Sequence, residues 1–377
     1  MRALNAPAEA GTFHNAQRAG GICFRDGARL SCVAMTFRGR RAAAIENEAL
    51  RVTVLEGGGH IAEILDKRTG VSPLWIPQWP TIEPGDYGPV RHAAYGGGAD
   101  ASLLASLMGH NLCLDVFGGP SPEEAAAGLP AHGEASVARF ALEAGARHLD
   151  MDAVLPGAQL RVTRRIALED RTVRIRERVE NLSATDRPVG WTEHVTMGPP
   201  FLEKGLTQFR MTADRSMVFE GRFGPADYLA EGREFTWPHA PAAGGGTADL
   251  RVYSSLPASS AYTTHRMSPD RATASFTAYS PDLGLTFGYG WRSADFPWLG
   301  MWEENQSRRA APWHGRELTL GMEFGVSPFP DSRRAMIERG PLWGTPTFRW
   351  IPARTRVEVN YVAVLAPAPA IPDSIEC

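Results

Sequence analysis

Lysine is almost missing from this 377-residue chain, since Lys67 and Lys204 are the only two and arginine supplies nearly all the positive charge. A formal net charge of −3 argues against a nucleic-acid partner, which calls for a basic face able to neutralise phosphates. Cysteine is sparse as well. Cys23, Cys32, Cys113 and Cys377 form no C-x-x-C pair, so the pattern suggests neither a zinc cluster nor a disulfide framework. Free thiols in a reducing cytoplasm are the expected state. No apolar run reaches the length of a membrane span, and no basic-then-apolar leader opens the chain, so a cytoplasmic location without a membrane partner is expected. The glycine runs at 57–59, 96–98 and 244–246 open no helix and imply no phosphate cradle. A G-x-S-x-G nucleophile elbow is also lacking.

Helical periodicity is scarce, and alternation of apolar and polar residues takes its place. Leu160, Val162, Ile166 and Leu168 share one parity against Arg161, Thr163 and Arg165, and Val173, Ile175 and Val179 alternate with Arg174, Arg176 and Arg178. The segments 50–56 and 60–66, joined at Gly57-Gly-Gly59, read as a hairpin. Further strands are predicted at 189–196, 249–254, 272–279, 283–291, 318–325 and 354–365. Residues 72–100, rich in Pro, Gly and Trp, suit a long surface loop. Two short helices are predicted. Ser121-Pro-Glu-Glu124 is a capping box ended by Gly128, and Asp331–Arg339 is closed by Gly340-Pro341. Strand after strand with Gly/Pro turns and almost no helix implies an all-β, antiparallel sandwich or barrel. Residues 1–45 lack sustained periodicity and read as an irregular, poorly ordered extension, with a short hairpin around Ile22 to Met35. Residues 46–377 then form a single domain.

The residues that suit chemistry are few. His132 lies where a loop feeds a strand, and His194 sits late in a strand with Glu193 on the opposite face, just before Met197-Gly-Pro-Pro200. That break would place His194 near a sheet edge or cleft mouth. Glu323 shares its strand face with Gly321 and Gly325, which lets a ligand approach closely. Glu303 and Glu304 compete with it for the part of a general base. Two histidines and a carboxylate suit proton transfer to and from a neutral polar substrate. A metal site built from His132, Glu134, His194 and Glu323 is the weaker alternative, because the spacing lacks the tighter multi-histidine pattern. Abundant tryptophans, Trp302 among them, offer faces on which a sugar can stack.

The run from Leu160 through Asn181-Leu-Ser-Ala-Thr-Asp186 to Glu193-His194, the Gly128-Leu-Pro-Ala-His132-Gly133 segment and the Met322-Glu323-Phe-Gly-Val-Ser-Pro strand together resemble the aldose 1-epimerase, or galactose mutarotase-like, superfamily over residues 48–366. The resemblance implies a large twisted antiparallel β-sandwich with its sugar site in a cleft. It also implies an isomerase that interconverts anomers by ring opening, with Glu323 as base, His194 as acid and His132 orienting the sugar. No metal or other cofactor is required, and the expected partner is a small-molecule carbohydrate bound by a monomer or homodimer. Asn111, Glu134, Glu193, Trp302 and Glu304 are the expected sugar contacts, and Asp214 is the nearest counterpart of the family's hydroxyl-holding aspartate. The arginine-and-asparagine phrase of many mutarotases is missing, with Gly109-His110-Asn111 as its nearest substitute. Two other readings stay open: a carbohydrate-binding or sensing module without turnover, and a lyase or metal-assisted isomerase on the same scaffold.

Overall fold

Period-two alternation turns the chain into two large antiparallel sheets, and the computed structural model describes residues 35–376 together with the backbone of strands Ile22–Asp26 and Arg29–Val33. Strand accounts for 45% of the chain and helix for 7%, so the all-β expectation holds. The larger sheet has twelve strands. Across its middle run Ser259–Met267, Trp298–Asn305, Leu318–Gly325, Arg187–Met197, His110–Asp115 and Ile61–Asp66, in that spatial order. The second sheet has eight strands and is centred on Leu285–Arg292, Arg356–Pro367, Thr172–Asn181 and Leu160–Glu169.

The main core lies between the sheets. Leu160, Val162, Ile166, Val173 and Ile175 of the smaller sheet are all at most 1% exposed, and they share one hydrophobic cluster with Leu112, Trp191, Val195, Met322 and Phe324 of the larger. The opposite face of the larger sheet carries a second apolar cluster, made by Cys113, Tyr262 and Trp302 with Leu103 of the short helix Ala101–Leu104 and the loop residues Trp75, Leu107, Phe117 and Trp313. Adjacent residues on the central strands therefore belong to different environments.

The predicted hairpin at 50–66 forms as Leu50–Leu55 and Ile61–Asp66, and the hairpin near residue 22 forms as Ile22–Asp26 paired with Arg29–Val33. The capping box closes on Pro122–Ala126, with Ser121 Oγ accepting from Glu124 N at 3.2 Å. Arg333–Arg339 forms the second predicted helix, capped by Ser332 and ended at Gly340. Two expectations need correction. The sheet starts before residue 46, because Met35–Phe37 pairs with Arg40–Glu46, which pairs in turn with Leu50–Leu55. Arg40, fully buried, donates to Ser106 O and Gly57 O and so ties this strand into the body, a contact that composition does not announce. The disorder expected at the N-terminus falls largely on residues outside those described. The strand expected at 249–254 shrinks to Thr247–Asp249, since Leu250 and Arg251 turn away.

A buried ionic cluster crosses between the sheets. Arg164 of the smaller sheet pairs with Glu177 on the neighbouring strand and donates to Glu193 of the larger at 2.8 Å. Trp191 Nε1 donates to Glu177 at 2.7 Å, and His110 Nε2 donates to Glu193 at 2.7 Å. Burial drives His110 well below its ordinary pKa, so the ring is neutral and its Nδ1 accepts from Tyr289 OH at 3.0 Å. Two carboxylates around one guanidinium cannot both ionise without cost, and burial pushes Glu177 up to about 8 despite Arg164. Glu303, also on the inter-sheet face, is pushed up to about 7 by burial.

The folded protein thus holds protons that the unfolded chain releases above the ordinary glutamate range. Their stabilising effect is complete below the ordinary glutamate value of 4.5 and is lost progressively as pH rises from there through about 7 and 8. Because the buried neutral His110 and His132 take up protons on unfolding and oppose this trend within the imidazole range, the melting temperature should fall only between about pH 7 and 8, each carboxyl contributing at most about 1.4 kcal/mol per pH unit. Glu303→Gln should flatten part of that fall, and a melting temperature that rises between pH 7 and 8 would contradict the protonation states of the two carboxyls.

Candidate active site

Strand register brings the polar residues of the second face into one transverse row. His194 lies opposite Asn111 on one side and opposite Glu323 on the other, and Glu323 in turn lies opposite Gly300. His194 Nε2 is 2.9 Å from Glu323 Oε1, and its Nδ1 is 3.0 Å from Thr196 Oγ1, two residues along the same strand face. His194 is not at a sheet edge, as the Gly-Pro-Pro break suggested. It occupies the middle of the large sheet, and the cavity reaches it because loops, rather than a second sheet, cover this face.

The glycines beside Glu323 have a definite use. A Cβ on Gly321 would sit 2.5 Å from Glu323 Oε1, and one on Gly300 would sit 2.2 Å from Tyr262 OH and 3.3 Å from Glu323 Oε2. Their absent side chains leave the volume in which the carboxylate lies. Gly325 instead lets the neighbouring strand approach, since a Cβ there would meet Thr192 Oγ1 at 2.4 Å and Trp191 O at 2.6 Å.

His132 arrives from a loop on the same side. Its φ of 62° is left-handed, and Gly133, at φ 73°, passes so close to Leu114 O that a Cβ would sit 2.2 Å away. Such a turn needs restraint. Ser136 Oγ donates between Ala131 O (3.1 Å) and Gly133 O (2.8 Å), while His60 Nε2 donates to Ser136 O at 2.9 Å. The ring of His132 then lies 4.9 Å from that of His194, centroid to centroid. Burial, reinforced by His194 and His60, lowers the His132 pKa well below the ordinary imidazole value, so the ring is neutral. Asn111 Nδ2 faces its Nδ1 at 3.4 Å, which makes Nδ1 the acceptor and leaves Nε2–H as a donor.

These side chains line one cavity of about 320 Å³, near the lower limit for small-molecule sites. His132, His194, Glu323, Trp302, Tyr262 and Arg308 all reach its wall. Trp302 packs edge-on against His194 at 5.8 Å, and its buried indole N–H has no hydrogen-bond partner among the described residues. Buried polar groups are seldom left unpaired, so this donor is available to an acceptor that enters the cavity.

Other expected contacts lie elsewhere. Glu193 is on the inter-sheet face, held by Arg164 and His110. Glu134 accepts from Ala158 N at 2.9 Å and braces a turn of the smaller sheet, so the four-residue metal set is not assembled. Among the described residues, no group of three or more His, Cys, Asp or Glu is arranged to hold a metal ion. Glu304 shares the face of Trp302, but its oxygens accept from Ser307 N, Ser307 Oγ and Arg308 N. Its part is to fix a loop. Glu303 accepts from Tyr228 OH at 3.1 Å and from Ser259 on the other face, which removes it as a base for this cavity. Asp214 forms a bidentate pair with Arg266 at 3.0 and 2.6 Å, away from the row. Sequence reasoning missed Thr196, although its parity with His194 was available, and also Arg308, which no periodic signal marks.

No family model and no curated protein matches the chain. Solved structures do. A candidate aldose 1-epimerase from Klebsiella pneumoniae superposes with a TM-score of 0.61 at 11% identity, covering 88% of this chain and 80% of its own. A galactose mutarotase-like protein from Clostridium acetobutylicum gives 0.57 at 11% identity, covering 89% and 98%. A galactose mutarotase related enzyme from Lactobacillus acidophilus gives 0.55 at 11% identity, covering 89% and 100%. The chain has the galactose mutarotase-like sandwich fold. Among the described residues, no helix is long and apolar enough to cross a membrane.

Gly321→Ala should crowd the Glu323 carboxylate and cost about 1–3 kcal/mol in denaturant unfolding. Unchanged stability would show that the carboxylate swings aside freely and is not held in that volume by His194.

Proposed function

We propose that this protein is an aldose 1-epimerase-like isomerase, interconverting the anomers of a sugar by acid–base ring opening. The observation that carries the reading is the 2.9 Å pairing of His194 with Glu323 on the wall of a cavity that also receives His132. The anomeric hydroxyl oxygen and the ring oxygen of a pyranose are bonded to the same carbon. A base and an acid side by side match that spacing.

In this mechanism Glu323 removes the proton of the anomeric hydroxyl while protonated His194 delivers one from Nε2 to the ring oxygen, its Nδ1–H donating to Thr196 Oγ1. The C1–O5 bond breaks and a C1=O1 aldehyde forms. After rotation about C1–C2, the O5 hydroxyl adds to the other face of C1 and returns its proton to His194. Glu323 hands its own proton back to O1, and both groups regain their starting states. Neutral His132, donating from Nε2, holds a sugar oxygen and takes no part in proton transfer. Asn111 sets its tautomer. The fold likeness supports this reading, as does the absence from the row of any competing carboxylate.

Glu323→Gln and His194→Asn should each lower the rate of anomer interconversion, followed by polarimetry or NMR over a panel of aldoses, by about 10²–10⁴-fold. His132→Ala should raise KM more than it lowers kcat, because it removes a ground-state contact. Parent rates indistinguishable from buffer on every sugar would defeat the isomerase reading. Sugar binding unaffected by Glu323→Gln would then favour a sensing module.

A further inference from the structure

Arg308 gives the cavity a charge that ring opening does not require. It follows the Trp298–Asn305 strand in a loop and lines the cavity wall, where its guanidinium lies 5.6 Å from the ring centroid of Trp302 and 5.0 Å from that of Trp313. Its side chain is 27% exposed, and Glu304 Oε2 stands 3.4 Å from Nε. The guanidinium donates no hydrogen bond to any described residue, although its backbone N–H does. Trp302 packs against both His194, at 5.8 Å, and the Arg308 guanidinium, and all three line the cavity that holds Glu323.

The carboxylates around Arg308 are engaged elsewhere or lie at the rim. Glu304 already accepts from Ser307 N, Ser307 Oγ and Arg308 N. Asp227, which faces Arg308 electrostatically, accepts from Phe223 N, Gly224 N and Ser260 Oγ. Asp100 is exposed. These groups hold the cation in place and leave its two terminal nitrogens free to donate. A guanidinium stacked on indole faces with an open fork is suited to a planar or tetrahedral anion with two acceptor oxygens.

We propose that Arg308 grips an anionic substituent, a carboxylate or a phosphate, at the end of the sugar remote from the anomeric carbon, so that the substrate is an acidic aldose. The assignment rests on the reading of this cavity as a sugar site. It is tested on the full chain by calorimetric binding of glucose, glucuronate and glucose 6-phosphate, with anomer exchange measured by NMR on the same three. Binding does not need turnover, which separates failure of this assignment from failure of the isomerase reading. At least one acidic sugar should bind about tenfold or more tightly than glucose. Which one does so identifies the anion. Arg308→Gln should collapse that preference, and Arg308→Lys should restore part of it for the phosphate, with both variants matching the parent in circular dichroism. Glucose binding as well as both acidic sugars, or a preference that survives Arg308→Gln, would overturn the assignment.

Discussion

The Arg164 guanidinium, buried between Glu177 and Glu193, is the interaction from which the arrangement of the site follows. Glu193 is next to His194, and neighbouring residues on a strand point to opposite faces. With Glu193 held by Arg164 and His110 from behind, a one-residue slip of this strand would drive a histidine into the cluster and a glutamate into the cavity. Such a slip exchanges every side chain between faces and is correspondingly disfavoured. His110, which also donates to Glu193, stands in the same relation to Asn111 on the next strand. One cluster therefore sets the facing of His194, on the cavity wall, and of Asn111, which supports His132. Removing a single partner would leave an uncompensated buried charge, which is strongly destabilising.

On the cavity side the requirements are different. A sheet face covered by loops can hold a carboxylate, two imidazoles and a guanidinium, because the covering residues leave room for a ligand between them. Gly300 and Gly321 make that room close to the sheet, and the His132–Gly133 turn delivers a donor from outside it. The ordering of charges is consistent throughout. His132 and His110 are held neutral by burial, and Arg308 keeps its charge over tryptophan faces.

Much of the fold was legible in the sequence because alternation is a local property. The Leu160–Asn181 hairpin, the Ser121 capping box and the Gly340 helix end each follow from residues within a few positions of one another. The pairing of His132, His194 and Glu323 rested on resemblance to a known superfamily, and the structure places them on one cavity. The contacts assigned to Glu134, Glu193 and Asp214 did not survive. Each of these carboxylates has a partner far away in the chain, Ala158, Arg164 or Arg266, and alternation cannot reveal such partners. The strand at Arg40–Glu46 was hidden for a similar reason, since its place in the sheet depends on a buried arginine reaching Ser106. Arg308 lies in an irregular loop, where only the folded position of Trp302 and Trp313 gives it significance.

The central claim is that one cavity brings an acid, a base and a neutral donor to the same anomeric carbon. A crystal structure of the Glu323→Gln variant soaked with an aldose tests it most directly. The account predicts a sugar in this cavity, with its anomeric hydroxyl against residue 323, its ring oxygen within hydrogen-bond reach of His194 Nε2 and another sugar oxygen accepting from His132. A sugar bound on any other surface, or bound here with its anomeric carbon turned away from His194 and residue 323, would contradict it.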